Sequence, residues 1–355
     1  EFMDKLGGFR SEFDGAQDYD LILRMSETTN KIVHISKILY HWRVHPQSTA
    51  AVTAGDAKPY AFEAGKRAIE SHLKRVGLEG QVEHGISLGI YRVIYKVKGT
   101  PKVSILIPNM DHIEELKTCI DSIVKLTTYE NYEIIVIENN SKEKTTFEYY
   151  KEIEKNPKIK VIYYPEKKFN YSKIINFGVK NATGEYVMQL NNDTELLTAN
   201  WLEELLGYAQ RKDVGAVGVK YYPKDKRGYF ARDSFVQNLS AVTAACMISR
   251  KEIYDEVGYM DEEFEVAFND MDLCLKIREK GYWIVEDPFV ELIHYESKSR
   301  GLEDSPEKVK RFNGEVERFR SKWSEFLKNG DPFFNRNFRL DIEDYLIFPD
   351  KVSNK

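Results

Sequence analysis

The chain has 355 residues, 42% of them hydrophobic and 31% charged, and a net charge of -5. That suits a globular protein of two domains, or one large domain with appendages, and it leaves no basic surplus to neutralise a nucleic-acid backbone. Three cysteines, Cys119, Cys246 and Cys274, lie far apart without metal-ligand spacing, which fits a reduced, cytosolic setting; neither a signal-peptide pattern nor an apolar run of about 18 residues is present.

Residues 1 to about 50 do not read as the start of a domain. Gly7-Gly8-Phe9-Arg10 runs into Phe13-Asp14-Gly15-Ala16-Gln17-Asp18-Tyr19-Asp20, and Leu21-Ile22-Leu23-Arg24-Met25 follows at helical spacing. Ile32-Val33-His34-Ile35 predicts a strand, and Tyr40-His41-Trp42-Arg43-Val44-His45 follows. Residues 60–77 predict an amphipathic helix and 86–98 a mixed apolar segment, with Gly99-Thr100-Pro101 ending a linker.

A new unit opens at Lys102. Val103 to Pro108 and Tyr132 to Ile137 predict short buried strands, the second ending in Glu138-Asn139-Asn140-Ser141, with a helix between them from Ile113 to Leu126. A helix over about 143–155, a strand from Ile159 to Tyr164 and a helix from Ser172 to Asn181 lead to the strand before Leu190-Asn191-Asn192-Asp193-Thr194-Glu195. Strands alternating with helices imply an α/β fold with a parallel sheet, whose ligands sit at the carboxyl ends of the strands. Pro108, Glu138 to Ser141 and Asn191 to Asp193 are all at such ends, so the topology converges them on one crevice. An amide and carboxylate cluster there suits a hard cation such as Mg²⁺ or Mn²⁺ bridging protein to a substrate pyrophosphate.

Beyond it, Val214 to Tyr221 predicts a strand and Ala241 to Ile248 an apolar, small-residue segment. Gly258 to Phe264 and Ala267-Phe268-Asn269-Asp270-Met271-Asp272 precede a helix from Leu273 to Lys280, capped by Gly281. Trp283-Ile284-Val285 predicts a strand, Leu292 to Ser297 follows, and a charged helix covers Ser305 to about Lys328.

The segments around Asp20 and Asp272 repeat one another. Asp18-Tyr19-Asp20-Leu21-Ile22-Leu23-Arg24-Met25 matches Asp270-Met271-Asp272-Leu273-Cys274-Leu275-Lys276-Ile277 position for position. Gly8 and Phe13 precede the first as Gly258 and Phe264 precede the second, and His41 follows Asp20 by 21 residues as His294 follows Asp272 by 22. The expectation is that the N-terminal stretch is the second half of another catalytic domain, from a longer tandem protein, and that Asp18 and His41 are inert.

On these residues the region 102 to about 340 resembles family 2 glycosyltransferases of the GT-A fold, the inverting nucleotide-sugar transferases of bacterial polysaccharide assembly. Ser104 to Asn109 resembles the opening strand where the base packs, and Glu138-Asn139-Asn140-Ser141 stands where the family has Asp-Asp-Gly-Ser. Phe169-Asn170-Tyr171-Ser172-Lys173, with Asn176 and Gly178, resembles the segment closing over the nucleotide. Asn191-Asn192-Asp193 stands at the DxD, Asn269-Asp270 at the Glu-Asp pair, and His294, in His-Tyr-Glu-Ser-Lys-Ser-Arg-Gly, resembles a further metal or pyrophosphate ligand. Asp331-Pro332-Phe333-Phe334-Asn335 is similar to a C-terminal signature of one polysaccharide branch.

The resemblance implies a Rossmann-like, mostly parallel central sheet flanked by helices, preceded by an N-terminal half-domain and followed by a helical tail. Its expected boundaries are a truncated transferase-like half over 1–55, a helical connector over 56–101, a catalytic domain over 102–302 and a C-terminal helix and extended tail over 303–355. Within the catalytic domain, 102–195 would bind the nucleotide sugar and 196–302 the acceptor. It implies Asp270 as base, Asp193 and His294 as ligands of Mg²⁺ or Mn²⁺, and Pro108, Asn109, Glu138, Asn140, Ser141, Asn170, Lys173, Asn176, Asn191, Asn192, Asp193 and Arg300 around the nucleotide sugar. Trp201, Asn269 and Asp272 fall on the acceptor side. The expected donor is a UDP- or dTDP-hexose, rhamnose among the candidates. The expected acceptor is a growing or lipid-linked glycan, reached from the cytoplasm or peripherally at the inner membrane face. Two other classes stay open: a non-catalytic sugar-binding or scaffold module, and a nucleotidyltransferase, against which the glycine-poor Pro108-Asn109-Met110-Asp111-His112 argues.

Overall fold

The computed structural model describes residues 2–35, 37, 39–40, 59–220, 234–295, 305–335 and 338. They form two compact units, one built on residues 1–96 and one of residues 97–334.

The first unit contains α1 (Phe2–Leu6), α2 (Gln17–Ser26), α3 (Pro59–Val76) and a hairpin of β1 (Gly80–His84) and β2 (Tyr91–Tyr95). The strands pair antiparallel from Gly80↔Tyr95 to His84↔Tyr91. Ile69 and Leu73 from one face of α3 pack with Val82 and the half-buried Leu23, Tyr91 and Val93. Residues 32–35 are not a strand: Ile32, Val33 and Ile35 are exposed, and no described strand pairs with them. Apolar sequence alone leaves backbone N–H and C=O groups unpaired, so a strand needs a neighbour.

The second unit runs β3 (Val103–Asn109), α4 (Ile113–Leu126), β4 (Tyr132–Glu138), α5 (Lys144–Ile153), β5 (Ile159–Tyr163), α6 (Tyr171–Asn181), β6 (Tyr186–Leu190) and β7 (Thr194–Leu196). It continues through α7 (Trp201–Ala209), β8 (Val214–Val219), β9 (Gln237–Leu239), β10 (Cys246–Arg250), α8 (Lys251–Val257), α9 (Asn269–Glu279), β11 (Trp283–Asp287) and β12 (Leu292–His294). It closes with α10 (Pro306–Lys322) and α11 (Ser324–Asn329). The central sheet has eight strands in the order β5-β4-β3-β6-β10-β8-β11-β9. The β5-β4-β3-β6 block is parallel throughout. Ile105, Leu106, Ile107 and Ile134 to Ile137 have no exposed surface, as expected of strands covered on both faces. α6 lies so close to the sheet that a Cβ on Gly178 would fall 2.5 Å from Ile137 Cδ1.

The departure from simple alternation is β10, which enters antiparallel between β6 and β8 with Cys246 opposite Leu190. Its start therefore lies at the carboxyl end of β6. The short pair β7 and β12 brings His294 opposite Thr194. α10 and α11 dock through Phe319 and Trp323 onto Phe264 and Leu275.

Candidate functional site

The carboxyl ends of β3, β4 and β6 are tied by one buried polar chain. Asn192 Nδ2 donates to Asn109 Oδ1 at 2.7 Å, and Asn109 Nδ2 donates to Tyr150 Oη at 2.9 Å. Tyr150 donates in turn to Glu138 Oε2 at 2.7 Å, and the same carboxylate accepts from Ser141 N and from Ser141 Oγ at 2.6 Å. Burial pushes the Tyr150 hydroxyl well above its ordinary pKa, and its bond to Glu138 adds to the rise, so it remains a donor. Asp111 joins the turns by accepting from Lys142 N and Glu143 N, both at 3.0 Å. Among described non-glycine residues, positive φ occurs at Asp111, His112, Asn140, Tyr259 and Phe268. Asp111, His112 and Asn140 lie in the turns after β3 and β4, and Phe268 stands two residues before Asp270. Backbone held in that region concentrates at functional sites.

Asp193, 4% exposed, leaves β6 in the turn before β7, and Tyr295 N donates to its carbonyl at 2.9 Å. His294 Nε2 lies 3.2 Å from Asp193 Oδ1, yet off a hydrogen-bonding line. Among the described residues no group donates a hydrogen bond to that buried oxygen. Asn191 Nδ2 is 3.3 Å from the same imidazole nitrogen. Where the other ring nitrogen carries the proton, Nε2 has one lone pair, which a cation beside the carboxylate would take in place of the amide. Two electron-rich atoms at this separation suit a shared cation. Among the described residues no cluster of three or more His, Cys, Asp or Glu groups would hold a metal alone. Asp193 and His294 could give an ion such as Mg²⁺ or Mn²⁺ at most two protein ligands, and the rest of its shell would be substrate oxygens and water. Under the turn, burial pushes the Cys119 thiol up to about 12, so it stays protonated and is no nucleophile.

Asp270 sits in the first turn of α9, half-buried, its Oδ1 accepting from Met271 N at 2.8 Å and its Oδ2 from Ala244 N at 3.2 Å. The adjacent Ala245 carbonyl accepts from Asn191 N at 3.0 Å. The antiparallel entry of β10 thus brings Asp270 to the turn carrying Asp193. Behind it, Phe268 stacks on Phe319 and Phe312 of α10, with centroids 5.0 and 5.9 Å away. Buried Glu315 accepts from Val266 N at 2.8 Å and Ala267 N at 3.3 Å.

Other expected residues are engaged elsewhere. Pro108 is half-buried in β3, and Asn140 Nδ2 donates to the Glu166 carbonyl at 2.8 Å. Asn170 caps α6 by accepting from Lys173 N at 3.0 Å and donates to the Glu262 carbonyl at 2.7 Å. Asn176 clamps Met260 through both its amide groups, and Lys173 pairs with Glu166 at 2.9 Å. Asn269 donates to the Val266 carbonyl at 2.9 Å.

Two expectations are corrected. Trp201 is 0% exposed with its indole N–H on Thr127 Oγ1 at 3.0 Å, so it is a core residue with no face for an acceptor. Asp272 is likewise 0% exposed and accepts from Trp323 Nε1 at 2.9 Å and Lys322 Nζ at 2.7 Å, which makes it a strut between α9 and α10. Arg300 and His41 lie outside the described residues. Tyr150, Asp111 and Glu315 were not anticipated. Asp111 follows the Pro108-Asn109 strand end and had a local signal; Tyr150 acts from the helix after the Glu138 turn, and Glu315 from a helix distant in sequence.

Residues 104–272 match the family model described as glycosyl transferase family 2. An uncharacterized protein, y4gI, of Sinorhizobium fredii (strain NBRC 101917 / NGR234) is 41% identical over 97% of this chain and 41% of its own length. The O-antigen biosynthesis protein RfbC of Myxococcus xanthus is 34% identical over 97% of this chain and 28% of its own length. The chain therefore spans less than half of either relative. Among solved structures, a mannosyltransferase, PcManGT, from Pyrobaculum calidifontis in complex with GDP-Man and Mn²⁺ superposes with a TM-score of 0.51 at 17% identity, covering 73% of this chain and 74% of its own. GalNAc-T7 with UDP, GalNAc and Mn²⁺ gives 0.51 at 17% identity, over 63% of this chain and 48% of its own. These two likenesses speak to the fold, which is GT-A. From the matched segment, the sheet built around it and the polar turns at its carboxyl ends, the second unit carries a domain of glycosyltransferase family 2.

Proposed function

We propose that the second unit transfers a hexose, with inversion, from a nucleotide diphospho-sugar to a growing or lipid-linked glycan of a bacterial surface polysaccharide. The observation that carries this reading is the buried, undonated Asp193 oxygen facing His294, with Asp270 tethered across the start of β10 to the same turn. Asp193 and His294 would hold a divalent cation, whose chemistry is to neutralise charge on a departing diphosphate. The Mn²⁺ in the two structural neighbours supports that choice of ion. Asp270 takes the proton from the acceptor hydroxyl as it attacks the anomeric carbon from the face opposite the leaving group, and inversion follows from that geometry. The β3–β4–β6 network of Asn109, Tyr150, Glu138 and Asn192 fixes the turns that would receive the base and ribose.

The surface-polysaccharide assignment rests on the O-antigen relative. No helix among the described residues is long and apolar enough to cross a membrane. Work at the cytoplasmic face, peripheral to the membrane, is part of the proposal.

The test is a screen of UDP- and dTDP-hexoses, dTDP-rhamnose included, against the purified chain with Mg²⁺, Mn²⁺ or chelator. Release of nucleoside diphosphate from one donor, dependent on the cation and lost in Asp193→Ala, is the expected result. No release and no calorimetric binding of any donor would return the chain to the scaffold reading.

A further inference from the structure

A cleft of about 550 Å³ lies wholly within the first unit, walled by the start of α2, α3 and the β1–β2 hairpin. That volume is in the range of small-molecule sites. Glycines shape it. A Cβ on Gly65 would stand 2.1 Å from Tyr91 Oη, and one on Gly15 would stand 2.8 Å from Ala61 Cα. Tyr91 lies against α3, its hydroxyl donating to the Phe62 carbonyl at 2.8 Å. Its ring runs near-parallel to Tyr19, at 14° with centroids 6.3 Å apart, and Tyr19 is 37% exposed.

The one charged group among the described lining residues is the carboxylate of Asp18. One of its oxygens accepts from Tyr19 N at 2.9 Å, which leaves acceptor positions for a ligand. No Lys, Arg or His is among the described lining residues, so nothing there favours a phosphate or nucleotide. Aligned aromatic faces beside a carboxylate suit a ligand with an apolar face and a rim of hydroxyl donors. A sugar ring has that form.

We propose that this cleft is a subsite for an uncharged saccharide, with Tyr19 and Tyr91 as the platform and Asp18 as the hydroxyl acceptor. Its identification with the glycan being extended rests on the transferase reading above; the chemistry of the cleft does not. Asp18 stands where the second unit has Asp270; on this proposal it is not inert, as the repeat alone suggests, but keeps an acidic contact to sugar without proton transfer.

The experiment titrates methyl glycosides of glucose, galactose, mannose and rhamnose, and their disaccharides, into the whole chain by calorimetry and saturation-transfer NMR. At least one should bind, roughly tenfold more weakly in Tyr19→Ala. Tyr19→Phe, which keeps the ring, should retain binding, and Asp18→Asn should weaken it, which carries the test should Tyr19→Ala fail to fold. Absence of binding by every glycoside overturns the proposal. So does binding untouched by both Asp18→Asn and Tyr19→Ala, or binding that Asp270→Ala removes and Asp18→Asn leaves. Nucleotide release without saccharide binding defeats the cleft alone. Saccharide binding without nucleotide release defeats the transferase reading alone.

Discussion

The loop and helix of residues 8–26 and those of residues 258–279 are built alike and closed differently. Gly8 and Gly258 both take positive φ, at 66° and 74°, and Phe13 and Phe264 are both buried. Asp18 and Asp270 each accept from the next backbone N–H, at 2.9 and 2.8 Å. Asp20 and Asp272 are each 0% exposed, and Arg24 and Lys276 each reach back to a loop carbonyl, of Gly8 and Tyr259. The difference is the neutralising partner. Asp20 is met locally, by Arg24 one turn on and by Arg10, whereas Asp272 is met by Lys322 and Trp323 at the far end of α10. The same α10 supplies Glu315, Phe312 and Phe319 to the loop before Asp270. One motif can thus serve as a self-contained packing unit or as a mount for a positioned carboxylate, and the distal helix distinguishes the two.

The widest gap between the copies should be in turnover. Asp270→Asn is expected to lower transfer by roughly 10²–10⁴ while donor binding is kept, read as nucleotide release beside a calorimetric donor titration. Equal loss of both would reduce Asp270 to a helix-start acid.

Stability comes next. Lys322→Met leaves the buried Asp272 carboxylate with only the indole; because Lys322 is a third exposed, a loss on the order of 1–3 kcal/mol is expected. Arg24→Met should cost a similar amount in the first unit, since it also strips donors from the Leu6 and Gly8 carbonyls while Arg10 still neutralises Asp20. Hydrogen exchange, segment by segment, should show each loss confined to its own unit; a loss spreading to both would break the comparison.

Acid should act on the first copy through Asp20. Burial pushes this carboxyl up, but hydrogen bonds from Arg10 and Arg24 outweigh burial and hold it below its ordinary value. A carboxylate depressed by folding contributes stability that is present above the unfolded pKa, about 3.9, and lost as pH falls through the lower folded one. Exchange protection of α2 should therefore decline below about pH 4, and Asp20→Asn should flatten that decline. An unchanged acid limb would assign it to other carboxylates.

The smallest effect is the matched glycine pair. Gly8→Ala and Gly258→Ala should each cost about 1 kcal/mol, because positive φ is strained for alanine and a Cβ at either position meets nothing within 4 Å. Unequal melting shifts for the two, once unit size is allowed for, would show that the loops are less alike than their backbones.

The sequence by itself determined the strands from Val103 to Leu190, because uninterrupted Ile, Val and Leu between turns and helical stretches have few other ways to be buried. It also determined the repeat, which is a pattern of residue types, and the strand ends where Asn109, Glu138 and Asp193 would meet, since parallel topology fixes that edge. Only the tertiary structure decided which polar groups remain available there. Tyr150, from a helix twelve residues on, occupies Glu138, and the antiparallel entry of β10 links Asp270 to the Asn191 turn. It also sorted two acids that look equivalent in sequence, leaving Asp270 half-buried beside the start of β10 and enclosing Asp272 against Trp323. Local periodicity encodes which face of an element is apolar; the partner that meets a buried charge, here fifty-one residues away, is settled only when the chain has packed.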